Sequence, residues 1–222
     1  MTGVDDIPPT PVDAPTRPML PAPTMSLAPT MRRSKALNLP NLLTYGRLAA
    51  VPLVVALLFW PNERGARWIA LAIFIAAGVT DYLDGYYARA MGQQSALGRM
   101  LDPIADKLLV AASLLMLVAD GTIASWSLWA AITILCREIL VSGLREFLAE
   151  LKVGVPVSQV AKWKTTLQLV AVGFLIAGPA GEGILPGTIR IGLLLLWAAA
   201  ILTLYTGWDY LKAGIKHLVE DA

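Results

Sequence analysis

Two short segments of this chain hold carboxylates at helical spacing. One reads Asp81-Tyr-Leu-Asp84-Gly85-Tyr-Tyr-Ala88-Arg89, and the other, after eight intervening residues, reads Gly98-Arg-Met-Leu-Asp102-Pro-Ile-Ala-Asp106-Lys107. Separations of three and four residues put Asp81 with Asp84, and Asp102 with Asp106, each on one helix face, so both pairs can address one space. The segments flank a turn between strongly apolar stretches. A carboxylate at the centre of a bilayer costs roughly 2.5–3.5 kcal/mol on insertion scales, so four of them oppose folding unless a cation compensates. No Cys or His is placed to help, and an all-oxygen donor set favours a hard ion such as Mg²⁺ or Mn²⁺ over zinc. Four acids suit two divalent ions, and a pair about 3.5–4 Å apart can neutralise a pyrophosphate while stabilising the attacking and leaving oxygens of an in-line displacement. The expected chemistry is displacement on a nucleotide-diphosphate donor. Gly85, Ala88 and Gly98 are small enough for a flat ligand, or a neighbouring helix, to approach the backbone closely. The competing reading makes the acids solvated partners of Arg89 and the small residues plain helix packing.

The elements that must position these acids are written in the hydropathy. The chain is 56% hydrophobic and 15% charged, with a mean hydropathy of +0.62, which is a membrane composition. From Leu42 onward six stretches approach the roughly 20 residues that a helix needs to cross a hydrocarbon core. They run from about 42 to 61, 66 to 88, 101 to 119, 124 to 147, 160 to 178 and 187 to 211, with turn chemistry at Pro61-Asn62-Glu63, Asp120-Gly121 and Gly178-Pro179-Ala180-Gly181. The fold class expected is an all-α integral membrane protein of six transmembrane helices with a polar active-site cavity at the cytoplasmic side. Basic residues gather on one side of the helices, at 32–35, 89–99, 145–164 and 212–216, while the other side has only Arg64, Arg67 and Arg190. Both termini are therefore expected to be cytoplasmic in a multi-pass protein.

Residues 1–31, rich in Pro and Thr, are expected to be a disordered tail ahead of a six-helix domain at 32–222. Asp5, Asp6 and the repeated prolines do not follow the basic-then-apolar order of a signal peptide. A net charge of +2 gives no nucleic-acid footprint. The single cysteine, Cys136, has no partner for a disulfide and reads as a packing residue, and the single histidine, His217, lies among charged residues near the C-terminus, which disfavours a His-based triad. No internal repeat is evident, which lowers the case for an inverted-repeat transporter.

The ordered set Asp81, Asp84, Gly85, Ala88, Arg89, Gly98, Asp102 and Asp106 fills every specified position of the signature D-x-x-D-G-x-x-A-R, eight residues, G-x-x-x-D-x-x-x-D. In this the chain resembles the CDP-alcohol phosphotransferase family, and the resemblance extends over nearly everything after residue 35. Further segments narrow it: Asn38-Leu-Pro-Asn41-Leu-Leu-Thr44-Tyr-Gly-Arg47, Arg137-Glu138-Ile-Leu-Val-Ser142-Gly-Leu-Arg145-Glu146 and Ala161-Lys162-Trp-Lys164-Thr165-Thr166 resemble the members that use CDP-diacylglycerol and glycerol 3-phosphate.

The resemblance implies that Asp81, Asp84, Asp102 and Asp106 hold two divalent cations and that Asp106 is also general base toward the acceptor hydroxyl. It implies that Gly85, Ala88 and Gly98 line the cytidine site, with Arg89 on the donor phosphates or orienting the carboxylates. The acceptor's phosphate dianion needs cations of its own, for which Arg137, Arg145, Lys162 and Lys164 are the candidates. Arg137 stands inside an apolar run, where an ionisable group is a functional candidate by default, the alternative being an ion pair with Glu138 or a helix contact. Lys162 and Lys164 have a competing reading as positive-inside anchors. A homodimer in the bacterial cytoplasmic membrane, in contact with its lipids, is implied as well. Two rivals stay open: another acceptor alcohol, such as inositol phosphate or serine, and a cation transporter that uses the four acids as its ion site.

Overall fold

The computed structural model describes residues 39–60, 62–91, 96–150 and 159–220; within these, the side chains at 39–41, 81–91, 96–99, 102, 150, 159–162, 209 and 213–220 fall outside the description. The expected tail at 1–31 and the side chain of His217 lie outside the described residues.

Among the described residues the chain is all helical. The order is α1 (Leu39–Leu58), α2 (Arg64–Met91), α3 (Ala96–Ala119), α4 (Ser127–Glu150), α5 (Gln159–Gly181) and α6 (Thr188–Glu220). Each helix falls on one of the six apolar stretches. Two ends run further than hydropathy indicates: α3 begins at Ala96 and α6 continues to Glu220, because a helix outlasts its apolar segment wherever polar residues still favour the conformation. Two segments, Ser127–Ala149 and Thr188–Lys212, are long and apolar enough to cross a membrane, and only 28% and 33% of each is buried within the protein. The core helix of a soluble protein would be mostly covered, so these outward apolar faces call for apolar surroundings. Cys136 sits on such a face, with Ile132, Ile139 and Leu140 exposed along the same side of α4. The expected packing role is corrected accordingly, since residues at these separations share one helix face.

The helices close on a core that includes Val54 and Leu58 of α1, Phe74 of α2, Leu114 and Leu117 of α3, Ile134 of α4, Ile176 of α5 and Leu196 of α6. Alanines fill much of the rest, among them Ala70, Ala130, Ala171 and Ala199, and let the backbones come close. α5 packs along both α6 and α2, α1 along α2 and α3, and α4 along α6.

The end of the bundle opposite the acids is closed by polar contacts. Pro179 has no N–H to offer the Leu175 carbonyl, and Gly178 leaves the helix at φ 41°, so α5 ends with unpaired carbonyls. Arg67 of α2 supplies the donor: its Nη1 donates to Ile176 O at 3.2 Å and to Leu175 O at 3.4 Å. Its Nη2 pairs with Asp120, which follows α3, and the Asp120 carboxylate accepts from the Thr122 backbone N–H at 2.8 Å. Gly178 must be glycine for a second reason, since a Cβ there would lie 2.5 Å from Arg67 Nη1. Glu182 then caps α6, accepting from Gly187 N at 2.7 Å and Ile189 N at 2.9 Å.

Candidate active site

α2 is helical through 81–91 and α3 through 96–106. The backbone therefore carries Asp81 and Asp84 one turn apart on α2, and Asp102 and Asp106 one turn apart on α3, as their spacing predicts. The side chains of Asp81, Asp84, Gly85, Ala88, Arg89, Gly98, Asp102 and Lys162 lie outside the described residues. Asp106 is described: it is half-buried and lines a cavity of about 60 Å³ that α3, α4 and α5 enclose. Glu138 of α4 and Thr165 and Gln168 of α5 share that cavity.

Beside it lies a buried cationic group. Lys164 of α5 is 5% exposed and pairs with Glu138, whose Oε1 also accepts from Arg137 Nη1 at 3.3 Å. Glu138 lines the same cavity as Asp106, so its partner Lys164 stands next to the space that Asp106 faces. Arg137, 8% exposed, turns its other donors to α6: Nε donates to Thr203 O at 3.0 Å and Nη2 to Thr206 Oγ1 at 2.9 Å. A Cβ at Gly207 would stand 3.1 Å from Arg137 Cγ, so α6 presents a glycine where the arginine crosses it. Two cations against one carboxylate leave the cluster a net positive charge beside Asp106. Arg145, two turns along α4 from Arg137, is exposed.

The structure thus brings Asp106, Arg137 and Lys164 into one neighbourhood and adds Glu138, which the sequence suggested only as a pairing partner for Arg137. It also adds Gln168, which the sequence left unremarked. A lone amide within the apolar run of α5 was the available signal. Thr44 and Arg47 of α1, at 1% and 2% exposure, are two further buried polar residues, in a helix that packs against both acid-bearing helices. The signal that marked Arg137, an ionisable group inside an apolar run, applies equally to Arg47.

A second cavity, of about 640 Å³, is an apolar groove between α2 and α5. It runs from Val79 and Thr166 past Gly78 and Gly173 to Trp68 and Leu185. Val79 stands two residues before Asp81, so the groove starts beside the acid-bearing end of α2.

The sequence profile described as CDP-alcohol phosphatidyltransferase matches residues 37–205, which take in the four acids and all four candidate acceptor cations. The chain belongs to this family. The CDP-alcohol phosphatidyltransferases are in general dependent on a divalent cation, and the oxygen-only donor set on two helix faces fits a hard ion. Among similar family members, a CDP-diacylglycerol–glycerol-3-phosphate 3-phosphatidyltransferase of Rickettsia bellii is 46% identical over 180 residues, covering 81% of this chain and 97% of that protein. The protein of the same name from Cereibacter sphaeroides is 37% identical over 218 residues, covering 83% of this chain and 98% of its own. A third, from Arabidopsis thaliana, bears that name with the numeral 2 and is 39% identical over 198 residues, covering 83% of each.

Proposed function

We propose that this chain is a membrane-embedded transferase that moves a phosphatidyl group from CDP-diacylglycerol to glycerol 3-phosphate, giving phosphatidylglycerophosphate and CMP. The observation that carries the reading is the buried cationic cluster of Arg137 and Lys164 beside Asp106, in a chain with the complete acid signature of its family. A phosphomonoester acceptor needs such a group and an uncharged alcohol does not. The names of the relatives agree with it.

In this reading all six helices cross the cytoplasmic membrane of a bacterium, both termini are cytoplasmic, and the site opens toward the cytoplasm. Asp81, Asp84, Asp102 and Asp106 hold two Mg²⁺ or Mn²⁺ ions. Bound there, the ions would offset the negative charge of the donor's pyrophosphate and of the leaving CMP. Gly85, Ala88 and Gly98 admit the cytidine, and Arg89 steadies the donor phosphates or the carboxylates. One acyl chain of the donor follows the apolar groove between α2 and α5, which begins beside the acid-bearing end of α2 and is lined mostly by apolar side chains.

The acceptor phosphate lies against Lys164, Lys162 and Arg145, with Arg137 held behind them by Thr203 and Thr206 as a fixed positive charge. Asp106 takes the proton from the C1 hydroxyl as that oxygen bonds to the lipid-bearing phosphorus. The bond from that phosphorus to the CMP oxygen breaks, and CMP leaves. The protein works as a homodimer, as the family resemblance implies.

The test is CMP release by the purified protein with CDP-diacylglycerol, with and without Mg²⁺ or Mn²⁺, across glycerol 3-phosphate, inositol phosphate and serine. Metal-dependent release with glycerol 3-phosphate alone is expected. Preference for another alcohol would replace the acceptor, and cation flux without CMP release would replace the enzyme by a transporter.

A further inference from the structure

Gln168 stands near the middle of α5, 4% exposed, and its Oε1 accepts no hydrogen bond from the described residues. A buried amide oxygen is costly to leave unpaired, and such groups in folded proteins are satisfied by protein, water or ligand. This one lines the cavity of about 60 Å³ shared with Asp106, Glu138 and Thr165. That space is several times the roughly 10–15 Å³ that a single water requires, so it admits a small polar fragment.

The register of α5 says which fragment. Lys164 lies four residues before Gln168, on the same helix face and about 6 Å nearer the start of the helix. Asp106 is ten residues into α3 and Gln168 nine into α5, so the carboxylate and the amide sit at similar depths on two helices that begin at the same side. A three-carbon phosphate with its phosphate at Lys164 and its far hydroxyl at Asp106 spans that interval. Its middle hydroxyl then falls in the cavity and needs an acceptor. Asp106 is given to the attacking hydroxyl, Glu138 Oε1 is committed to Arg137 and Lys164, and Thr165 is already engaged in a contact of its own. Gln168 Oε1 is the buried acceptor in this cavity that has no partner among the described residues.

We infer that Gln168 is a specificity-determining residue that accepts a hydrogen bond from the C2 hydroxyl of the acceptor, selecting a vicinal diol phosphate over a simple hydroxyalkyl phosphate. The inference rests on the function proposed above and adds the group that recognises the acceptor's middle carbon. It separates two tasks at one site, with the cationic cluster reading the phosphate and the amide reading the hydroxyl pattern.

The experiment compares glycerol 3-phosphate with 3-hydroxypropyl phosphate, which keeps the attacking hydroxyl and the phosphate and lacks only the middle hydroxyl. Full-length protein in detergent, with CDP-diacylglycerol and Mg²⁺ at saturation, is assayed for CMP release as wild type, Gln168→Leu and Gln168→Met. The wild type is expected to favour glycerol 3-phosphate in kcat/KM by roughly 5-fold to 150-fold, the range for a buried polar group left unpaired. Both variants are expected to lose that preference through a higher KM for glycerol 3-phosphate, while 3-hydroxypropyl phosphate and the KM for CDP-diacylglycerol stay near wild-type values. Should the leucine variant fail to elute as a single folded species, the methionine variant, closer in length to glutamine, decides. A preference that survives in the folded variant, or an equal loss with both acceptors, overturns the inference. So does a wild type that uses both acceptors equally well, a result that leaves the parent function standing. A wild type that uses neither overturns the parent function and this inference with it.

Discussion

Asp120→Asn isolates the ion pair that closes the end of the bundle away from the acids. Arg67 and Asp120 are 1% and 3% exposed, so the pair is shielded from both water and salt. Asparagine keeps the side chain's size and an Oδ1 able to accept from the Thr122 N–H. It removes the negative charge and turns an N–H₂ donor toward a guanidinium that can only donate. Removing one partner of a buried pair costs about 3–5 kcal/mol, since the remaining charge is left uncompensated. At roughly 2–4 °C per kcal/mol for a chain of this size, the melting temperature should fall by roughly 6–20 °C. Replacing both partners, as Arg67→Met with Asp120→Leu, removes both charges but leaves the Leu175 and Ile176 carbonyls without the Arg67 donor and the Thr122 N–H without the Asp120 acceptor. At about 1–3 kcal/mol for each buried group left unpaired, the double variant should also melt below the wild type. The assay is thermal unfolding in one fixed detergent, read by loss of the monodisperse peak, together with CMP release per folded molecule well below both transitions. Arg67 is fourteen residues, about 21 Å along the helix, from Asp81, so melting reads the pair itself and CMP release reads whether its loss lets α2 tilt. Melting of Asp120→Asn indistinguishable from wild type would refute the argument that burial makes this pair matter.

Asp106→Asn should lower turnover by about 10²-fold to 10⁴-fold even at saturating metal and donor, and restoration by excess metal would reduce Asp106 to a ligand. Arg145→Ala should raise the KM for glycerol 3-phosphate by roughly 10-fold to 150-fold with little change for CDP-diacylglycerol; equal effects on both substrates would assign it a structural role. The Glu182 carboxylate is held below its ordinary value of 4.5, first by the Ile189 N–H and then by the Gly187 N–H. A depressed folded value means that the stabilisation is present above the ordinary value and is lost as pH falls through the depressed one. The melting-temperature gap between wild type and Glu182→Gln should therefore be constant near neutrality and close as pH drops below 4.5; a gap that widens on acidification would reverse the assignment.

The helices were legible in the sequence because hydropathy and turn chemistry are local. The break at Gly178-Pro179 is visible as a dipeptide, and the structure places the non-helical φ of α5 there. What completes that break was not legible. Arg67 looked like one of three sparse basic residues outside the positive side, and only the packing of α2 on α5 turns it into a donor for carbonyls 108 and 109 residues away. The helical placement of the acids was legible for a similar reason, since separations of three and four already state a shared helix face. Glu138 was half legible, since a neighbour in sequence is an obvious partner for Arg137, yet its pairing with Lys164 crosses from α4 to α5. Gln168 carries no charge and belongs to no spacing pattern, and its meaning depends on a cavity that three helices enclose.

The contact among Arg67, Asp120 and the unpaired end of α5 also makes the bundle a lever. Three elements are fastened at one end, so their relative tilt has a fulcrum there, and displacement grows with distance from it. A rotation of α2 by 5° about Arg67 moves the backbone at Asp81 by about 2 Å, while the residues around the fulcrum hardly shift. Small angular freedom at a locked end thus becomes ångström-scale travel at the end where the carboxylates are, with the helices themselves staying straight.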